Sequence, residues 1–402
     1  MKKQRVVVVG AGIAGSLITT GLAGREDIEL ICLERVSQAD HAEAGTGLNV
    51  GPNAIKALKL HLPDIAASII ANSYPWQTWK TSITDGTVLT DLRIDSVADN
   101  YGIRIRWSEL YTLLRTPIQG YIRYGSKVTS CGKSESGSWL TYTDGTGTKT
   151  RINDIDLLIA GDGRYSVVRE HILGGPDSPF FLGVCLYRVL FPAEPDCPIY
   201  DYEQWFSGPN RLLAFRVPGD FIYCAGSFPI AADSEIPEEM KSPEVLAQIY
   251  LPPSGEPSDK AAYLITSIQR YFEKIHWARL QEGRLTYGGT PGMLLVGDSA
   301  HPMVPTLGQG ATQACEDACA VVDEVKLALA DNRPLSSISQ CVEDRRLERI
   351  QFVVDFSREA TDTMLHGADS VIGSLVKAEP PFLDRLARLY RDVPVPSAGV
   401  GR

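Results

Sequence analysis

The chain has 402 residues, 44% of them hydrophobic and 22% charged, with a formal net charge of −10. Such a length supports a large core, best organised as two interleaved domains rather than one. The acidic balance and the lack of a long basic run argue against nucleic acid or an anionic membrane as partner, while a local arginine cluster still leaves room for a small anion.

The eight cysteines show no CxxC or zinc-finger spacing, so no metal site is expected. Cys315 and Cys319 stand one helical turn apart, a spacing that fits close packing, and reduced thiols fit a cytoplasmic protein. Met1-Lys-Lys-Gln-Arg5 runs straight into four valines, too short for a signal peptide. No later apolar run reaches the roughly 18 residues of a membrane span.

Val6 to Val9 form a continuous β-branched run, as a strand buried on both faces requires. Gly10-Ala-Gly12-Ile13-Ala14-Gly15 follows, then a helix from Ser16 to Leu22 and a second apolar strand, Ile28 to Leu33, ending at Glu34. An acid about 20 residues beyond a glycine turn set between strand and helix is the dinucleotide-binding fingerprint. The first glycine permits the tight turn, the second lets backbone approach a pyrophosphate, and the third allows close helix–strand packing, while the acid receives ribose hydroxyls.

Gly45 to Asn53 is glycine-rich and precedes a helix, Ala54 to Leu60, as a backbone passing close to a flat ligand would be. Residues 76–95, with an Asp85-Gly86 turn, predict a hairpin. Arg106 precedes a helix from Ser108 to Leu114 and is suitably placed for a phosphate. Alternation from Tyr121 to Tyr142 and an Asp144-Gly-Thr-Gly147 turn predict a meander. Ile155 to Ile159 reads as a buried strand, followed by a glycine-flanked acid, Asp162, and a helix with Arg164 and Arg169.

From residue 176 to about 280 prolines, aromatics and alternating runs predict a separate antiparallel sheet, whose inward side chains would roof a pocket. Arg188, Arg211, Arg216, Tyr187, Trp205, Phe215 and Tyr223 are its candidate ligand contacts. Strand alternation puts Arg211, Phe215 and Val217 on one face and Arg216 on the other.

Met293 to Val296 returns to the first sheet, followed by Asp298 in a turn, a Pro-rich loop from His301 to Pro305, and Gly308 and Gly310 opening a small-residue helix near Ala311. A helix entered through glycines presents free N–H groups and its positive dipole end to whatever lies above. Gln340 to Met364 reads as an amphipathic helix with a charged face, Glu343 to Arg349, and Pro394 to Arg402 as a frayed tail.

Three ordered motifs, Gly10 to Gly15 with Glu34, Gly161-Asp-Gly163 through Arg169, and Gly297-Asp298 through Asp317, resemble those of the single-component flavoprotein aromatic hydroxylases. That resemblance covers roughly residues 5 to 365 and includes the salicylate, 3-hydroxybenzoate and hydroxynicotinate hydroxylase type. It implies an α/β fold, a Rossmann-like FAD-binding domain interleaved with a mostly antiparallel substrate domain and a C-terminal helix. FAD-binding segments are expected at 1–75, 101–175 and 283–330, substrate-domain segments at 76–100 and 176–282, and a helical region and tail at 331–402.

The implied activity is hydroxylation of a small electron-rich aromatic or N-heteroaromatic substrate through a flavin C4a-hydroperoxide, with NAD(P)H and O2 consumed by a monomer or homodimer. Gly10, Gly12, Ile13, Ala14, Gly15, Glu34 and Arg35 would hold the adenosine half of FAD, and Arg106 its pyrophosphate or ribityl region. Asp162 would serve both FAD and passing NAD(P)H, and Asp298 the ribityl chain, while Pro305, Gly308, Gly310 and Ala311 would flank the flavin ring.

Asn49 falls where some relatives place a polar substrate-pocket residue. Two departures stand out: Ala160-Gly161 reverses the family's usual Gly-Ala, and Ile105 replaces a common histidine before Arg106. Competing readings are a natural-product monooxygenase or epoxidase, a flavin halogenase or reductase, and a non-catalytic FAD-binding module. Trp76-Gln-Thr-Trp79 lacks the halogenase spacing, and no second GxGxxG occurs.

Overall fold

The computed structural model describes residues 3–38 and 46–397. Gly45 of the glycine-rich segment and residues 398–402 of the tail lie outside that range. The chain opens with β1 (Gln4–Val9), α1 (Ile13–Leu22) and β2 (Ile28–Leu33), then β3 (Gly47–Val50), α2 (Pro52–His61), α3 (Pro63–Ala71) and β4 (Tyr74–Trp76). The hairpin β5 (Thr78–Ile83) and β6 (Val88–Arg93) precedes β7 (Gly102–Arg106), α4 (Trp107–Arg115) and β8 (Ile122–Arg123). A meander of β9 (Lys127–Ser134), β10 (Gly137–Thr143) and β11 (Lys149–Ile155) leads to β12 (Leu157–Ala160) and α5 (Val167–Leu173).

Next come β13 (Phe180–Pro192), β14 (Tyr202–Ser207), β15 (Asn210–Val217), β16 (Phe221–Pro229), α6 (Pro243–Ile249), α7 (Asp259–Arg270) and β17 (His276–Glu282). β18 (Met293–Leu295), α8 (Gln309–Ala330), α9 (Ile338–Glu359), α10 (Ser370–Val376) and α11 (Pro380–Arg391) complete the described chain.

Parallel strands in the order β18-β12-β1-β2-β8 build the first sheet, with the valines of β1 buried at its centre. Close packing sets its glycines: a Cβ on Gly15 would stand 1.9 Å from the Gly10 carbonyl oxygen, and one on Gly21 2.5 Å from Val322 of α8. A second, seven-stranded sheet runs β17-β13-β16-β15-β14-β5-β6, antiparallel except where β14 meets β5. The chain is therefore α/β, with one parallel and one largely antiparallel sheet and helices at its C-terminal end.

Alternation divides the second sheet into two faces. Leu213, Phe215 and Val217 of β15 join the core shared with the first sheet. Leu212 and Ala214 point the other way, into a cluster with Leu246 of α6 and Leu264 of α7. The inner face is thus a roof over the first sheet's strand ends, and α6 and α7 seal its back.

The charged run on α9 is divided: Asp344 and Glu348 face solvent, but Arg346 turns inward. Arg346 is 0% exposed. Its guanidinium donates to Asp317 (2.9 Å), Glu316 (2.8 Å) and Gln313 (2.6 Å) on α8. Burial pushes the Asp317 carboxyl up, but His301 and Arg346 outweigh it and hold it below the ordinary carboxylate range. Breaking a buried pair leaves a charge uncompensated, at a cost of about 3–5 kcal/mol. Arg346→Met should lower the unfolding free energy by that amount in urea titrations, with an unchanged denaturant slope.

Candidate active site

A cavity of about 960 Å3 lies between the two sheets. At one end it is walled by the glycine turn after β1. Gly10 has φ +89°, and a Cβ there would fall 2.5 Å from the Gly161 carbonyl oxygen. Gly12, Ile13 and Ala14 line the wall; Gly15 does not, its role being the packing described above. Glu34 and Arg35 at the end of β2 also line it. The Glu34 carboxylate accepts from the N–H of Ala11 (2.7 Å) and of Val36 (3.0 Å) and pairs with Arg115 at 3.5 Å.

Arg106 departs from its expected place. Among the described residues it does not line the cavity; its guanidinium pairs with Glu109 at 2.5 Å and lies 5.0 Å from the Phe221 ring centroid. The wall is formed instead by Trp107, Tyr111 and Arg115, at i, i+4 and i+8 on α4. Arg115 donates to the Ala11 carbonyl (2.6 Å) and sits over Tyr111. Sequence reading missed all three, although their helical spacing was a usable signal.

Where the strands of the first sheet end, two acids face the cavity. Asp162 accepts from the Val167 N–H at 3.2 Å, while its Oδ1 is buried without a partner. Burial pushes this carboxyl up to about 6, against the opposing effect of Ser166. Asp298 is exposed to the cavity from the turn after β18. That turn is held from behind: Asp317 accepts from the Gly297 N–H (2.8 Å), and Arg169 donates to the Ser299 carbonyl (2.8 Å).

Beyond it, Pro305, Gly308, Gly310 and Ala311 line the cavity at the start of α8. Gly308 caps that helix with φ +65°, and a Cβ on it would lie 2.9 Å from the Asn49 side chain, which lines the opposite wall.

The second sheet supplies the far end. Arg188, Arg211, Phe215 and Tyr223 all line it, together with Tyr202, which sequence reading did not single out. Phe215 stacks on Tyr202 at 5.7 Å between centroids and meets Tyr223 at 4.8 Å, forming an aromatic slab. Burial pushes the Tyr202 and Tyr223 phenols up to about 12, so both stay neutral. Tyr187 and Trp205 lie in the core behind the sheet, and Arg216 leans toward Tyr200. Gly47 allows β3 to pass beneath Tyr223, whose Cβ a side chain would meet at 2.5 Å.

No family model matches the chain. It is 28% identical to a 3-amino-4-hydroxybenzoate 2-monooxygenase of Streptomyces platensis over 378 residues, covering 89% of this chain and 87% of that one. It is 24% identical to a 6-hydroxynicotinate 3-monooxygenase of Bordetella bronchiseptica over 399 residues, covering 94% and 97%. A salicylate hydroxylase of Pseudomonas putida is 25% identical, with coverage of 92% and 88%. Over nearly its whole length the chain is thus similar to monooxygenases of aromatic and heteroaromatic acids. The crystal structure of Klebsiella pneumoniae HpxO complexed with FAD and uric acid shares the fold, with a TM-score of 0.79, 19% identity and 96% coverage of each chain.

The chain's own residues fit FAD. Gly12 has an extended backbone (φ −71°), and a Cβ on it would meet nothing closer than 3.7 Å. Neither backbone strain nor packing therefore asks for glycine at this position; a bound group against it does. The unpartnered Asp162 oxygen and the exposed Asp298 carboxylate are acceptors for hydroxyls, and the N–H groups opening α8 suit an acceptor edge. In the flavin-free chain Gly12→Ala should retain the wild-type unfolding midpoint, while weakening FAD retention at least about tenfold, read by flavin fluorescence on dilution.

Asp162 gives a pH test. Its folded value of about 6 lies above its ordinary 3.8, so the fold is penalised as pH rises between them, and the penalty is complete above the upper value. Asp162→Asn should stabilise the flavin-free chain by about 1–3 kcal/mol at pH 8 and by almost nothing near pH 3. Urea titrations at the two pH values check this.

Proposed function

We propose that this protein inserts one oxygen atom of O2 into a small, electron-rich aromatic or N-heteroaromatic acid, with NADH or NADPH as electron donor. The observation that carries this reading is a pair of unsatisfied guanidiniums. Among the described residues the side chains of Arg188 and Arg211 have no hydrogen bond or ion pair, and the Nε of each is buried. Burial pushes the Arg211 pKa down, which marks a charge held away from water. An arginine stays charged in proteins, so the charge must be matched by something outside the chain. A substrate carboxylate matches it bidentately.

The aromatic slab beside these arginines suits a flat ring. The relatives named for 3-amino-4-hydroxybenzoate, 6-hydroxynicotinate and salicylate chemistry act on compounds of this class.

The chemistry supplied by bound FAD is activation of oxygen after reduction by the nicotinamide, and transfer of one oxygen atom to the ring. The chain's residues do the rest. Glu34, Asp162 and Asp298 would accept hydroxyl hydrogen bonds along the cofactor. The opening turn of α8 stabilises negative charge above it by about 0.3–2 kcal/mol. Phe215, Tyr202 and Tyr223 exclude water and set the plane of the ring, and the arginines fix its direction.

Aerobic oxidation of NADH and NADPH should be measured with hydroxylated and aminated benzoates and pyridine carboxylates, with product masses. One of these acids should accelerate oxidation and gain a single oxygen atom. If no compound does both, the reading fails. For the accepted acid, Arg188→Gln and Arg211→Gln should each cut kcat/KM roughly ten- to a hundredfold, as expected for losing a charge-assisted bond of about 1.5–3 kcal/mol.

A further inference from the structure

Beside the ring end of the active site lies a second cavity of about 370 Å3 that the proposed reaction leaves unused. It sits on the same inner face of the seven-stranded sheet. Across the ladders Phe206 stands opposite Arg211, Gln204 opposite Thr81, and Thr81 opposite Thr90. Directly paired residues share a face, so the floor of the active site continues from β15 through β14 and β5 to β6. Ser374 and Lys377 at the end of α10, with Phe382 and Leu383 of α11, close the cavity from the opposite side. Arg211 and Thr306 belong to the walls of both cavities.

The polar groups of this second cavity are largely engaged within the protein. Gln204 donates to the Thr81 hydroxyl at 2.9 Å, and the Thr306 and Thr361 hydroxyls meet at 2.6 Å. The Lys377 ammonium donates to the Ala360 carbonyl (2.9 Å), the Asp362 carboxylate (2.5 Å) and the Thr363 hydroxyl (3.1 Å). What remains open to a ligand is chiefly hydrocarbon from Leu89, Leu92, Phe206, Phe382, Leu383 and the Trp79 ring, with the unpartnered Trp79 indole N–H, the Asp91 carboxylate at the rim and the guanidinium of Arg211. Arg211 is only 7% exposed and unpaired. At this size the cavity falls within the range of small-molecule sites by itself.

We propose that the hydroxylase's substrate is an aromatic acid carrying an apolar substituent: the ring lies on the Phe215–Tyr223 slab, the substituent fills the second cavity, and Arg211 binds an oxygen at or next to their junction. This rests on the aromatic-acid reading above and narrows it. Arg188, which touches only the first cavity, is left to hold the carboxylate when Arg211 serves the junction.

The probes are 2-hydroxybenzoates bearing a straight alkyl chain at carbon 4 or carbon 5, from methyl to hexyl, titrated calorimetrically into the FAD-loaded protein. In one positional series the dissociation constant should fall about fourfold for each added methylene, the gain expected for burying a CH2. Thr90→Trp, which builds an indole into the second cavity, should flatten that slope. If unsubstituted 2-hydroxybenzoate binds and affinity stays level or falls with chain length in both series, the proposal is overturned while the aromatic-acid reading stands. If no member binds, the unsubstituted acid included, the reading beneath it fails and the proposal with it. Should Thr90→Trp not fold, the wild-type series decides alone.

Discussion

The buried guanidinium of Arg346 is the constraint on which the active site depends. It reaches from α9 into α8 and joins two acids that are themselves the junctions of the loops around the cavity. Asp317 takes the Gly297 N–H, the His301 ring at 2.7 Å and the Tyr287 hydroxyl at 2.8 Å, which fixes both ends of the turn that carries Asp298. Glu316 takes Arg349 and the Asn53 amide at 2.6 Å each, tying the start of α2 to the same helix. Asn53 also reaches Gln309, in the first turn of α8. The backbone groups offered to FAD are therefore held by charges well behind them. Such a network is worth keeping only when complete, since each missing member exposes the desolvation cost of the others.

How much of this was legible in the sequence follows from the range over which each signal acts. The strand–turn–helix–strand unit around Gly10 to Gly15 is readable from its local spacing; in the fold Gly15 is required by its contact with Gly10, Gly10 by the neighbouring strand end at Gly161, and Gly12 by neither. The hairpin at Asp85-Gly86 and the alternation of Arg211, Phe215 and Val217 are also local, because a period of two leaves no choice of face once the strand is recognised. Arg346 was not legible. A charged residue in a run from Glu343 to Arg349 looks solvated, and its partners lie about thirty positions earlier on another helix. Arg106 was hard to place for a different reason: at a strand-to-helix junction a shift of one residue exchanges the inward and outward side chains, and here Trp107 lines the cavity while Arg106 pairs with Glu109.

The two ends of the cavity are made differently. Toward the glycine turn the walls combine backbone and acids, Gly10, Gly12, Gly161, Gly310, Glu34, Asp162 and Asp298, with Trp107, Tyr111 and Arg115 of α4. Toward the second sheet they are mainly side chains, aromatic and cationic, on strands whose reverse faces are sealed by α6 and α7. Backbone geometry is hard to change without disturbing the fold, whereas an inward side chain on a strand can be exchanged while its ladder hydrogen bonds stay in place. Such an architecture keeps one cofactor while the ring bound beside it is free to differ.

Arg346 and Arg211 make the same point from opposite directions. Both guanidiniums are buried, and both would be costly if left bare. Arg346 is met on every side by the chain, and its pKa is raised although burial alone would lower it, because Tyr287, Glu316 and Asp317 surround it. Arg211 is met by none of the described acids, its pKa is lowered by burial, and it stands where two cavities touch. A fold selected for stability alone would replace such a residue with something apolar, as stabilising core substitutions commonly do at functional positions. On the proposal above its partner comes from outside the chain: an oxygen-bearing ligand that reaches from the ring slab toward the second cavity would have the chemistry to complete it.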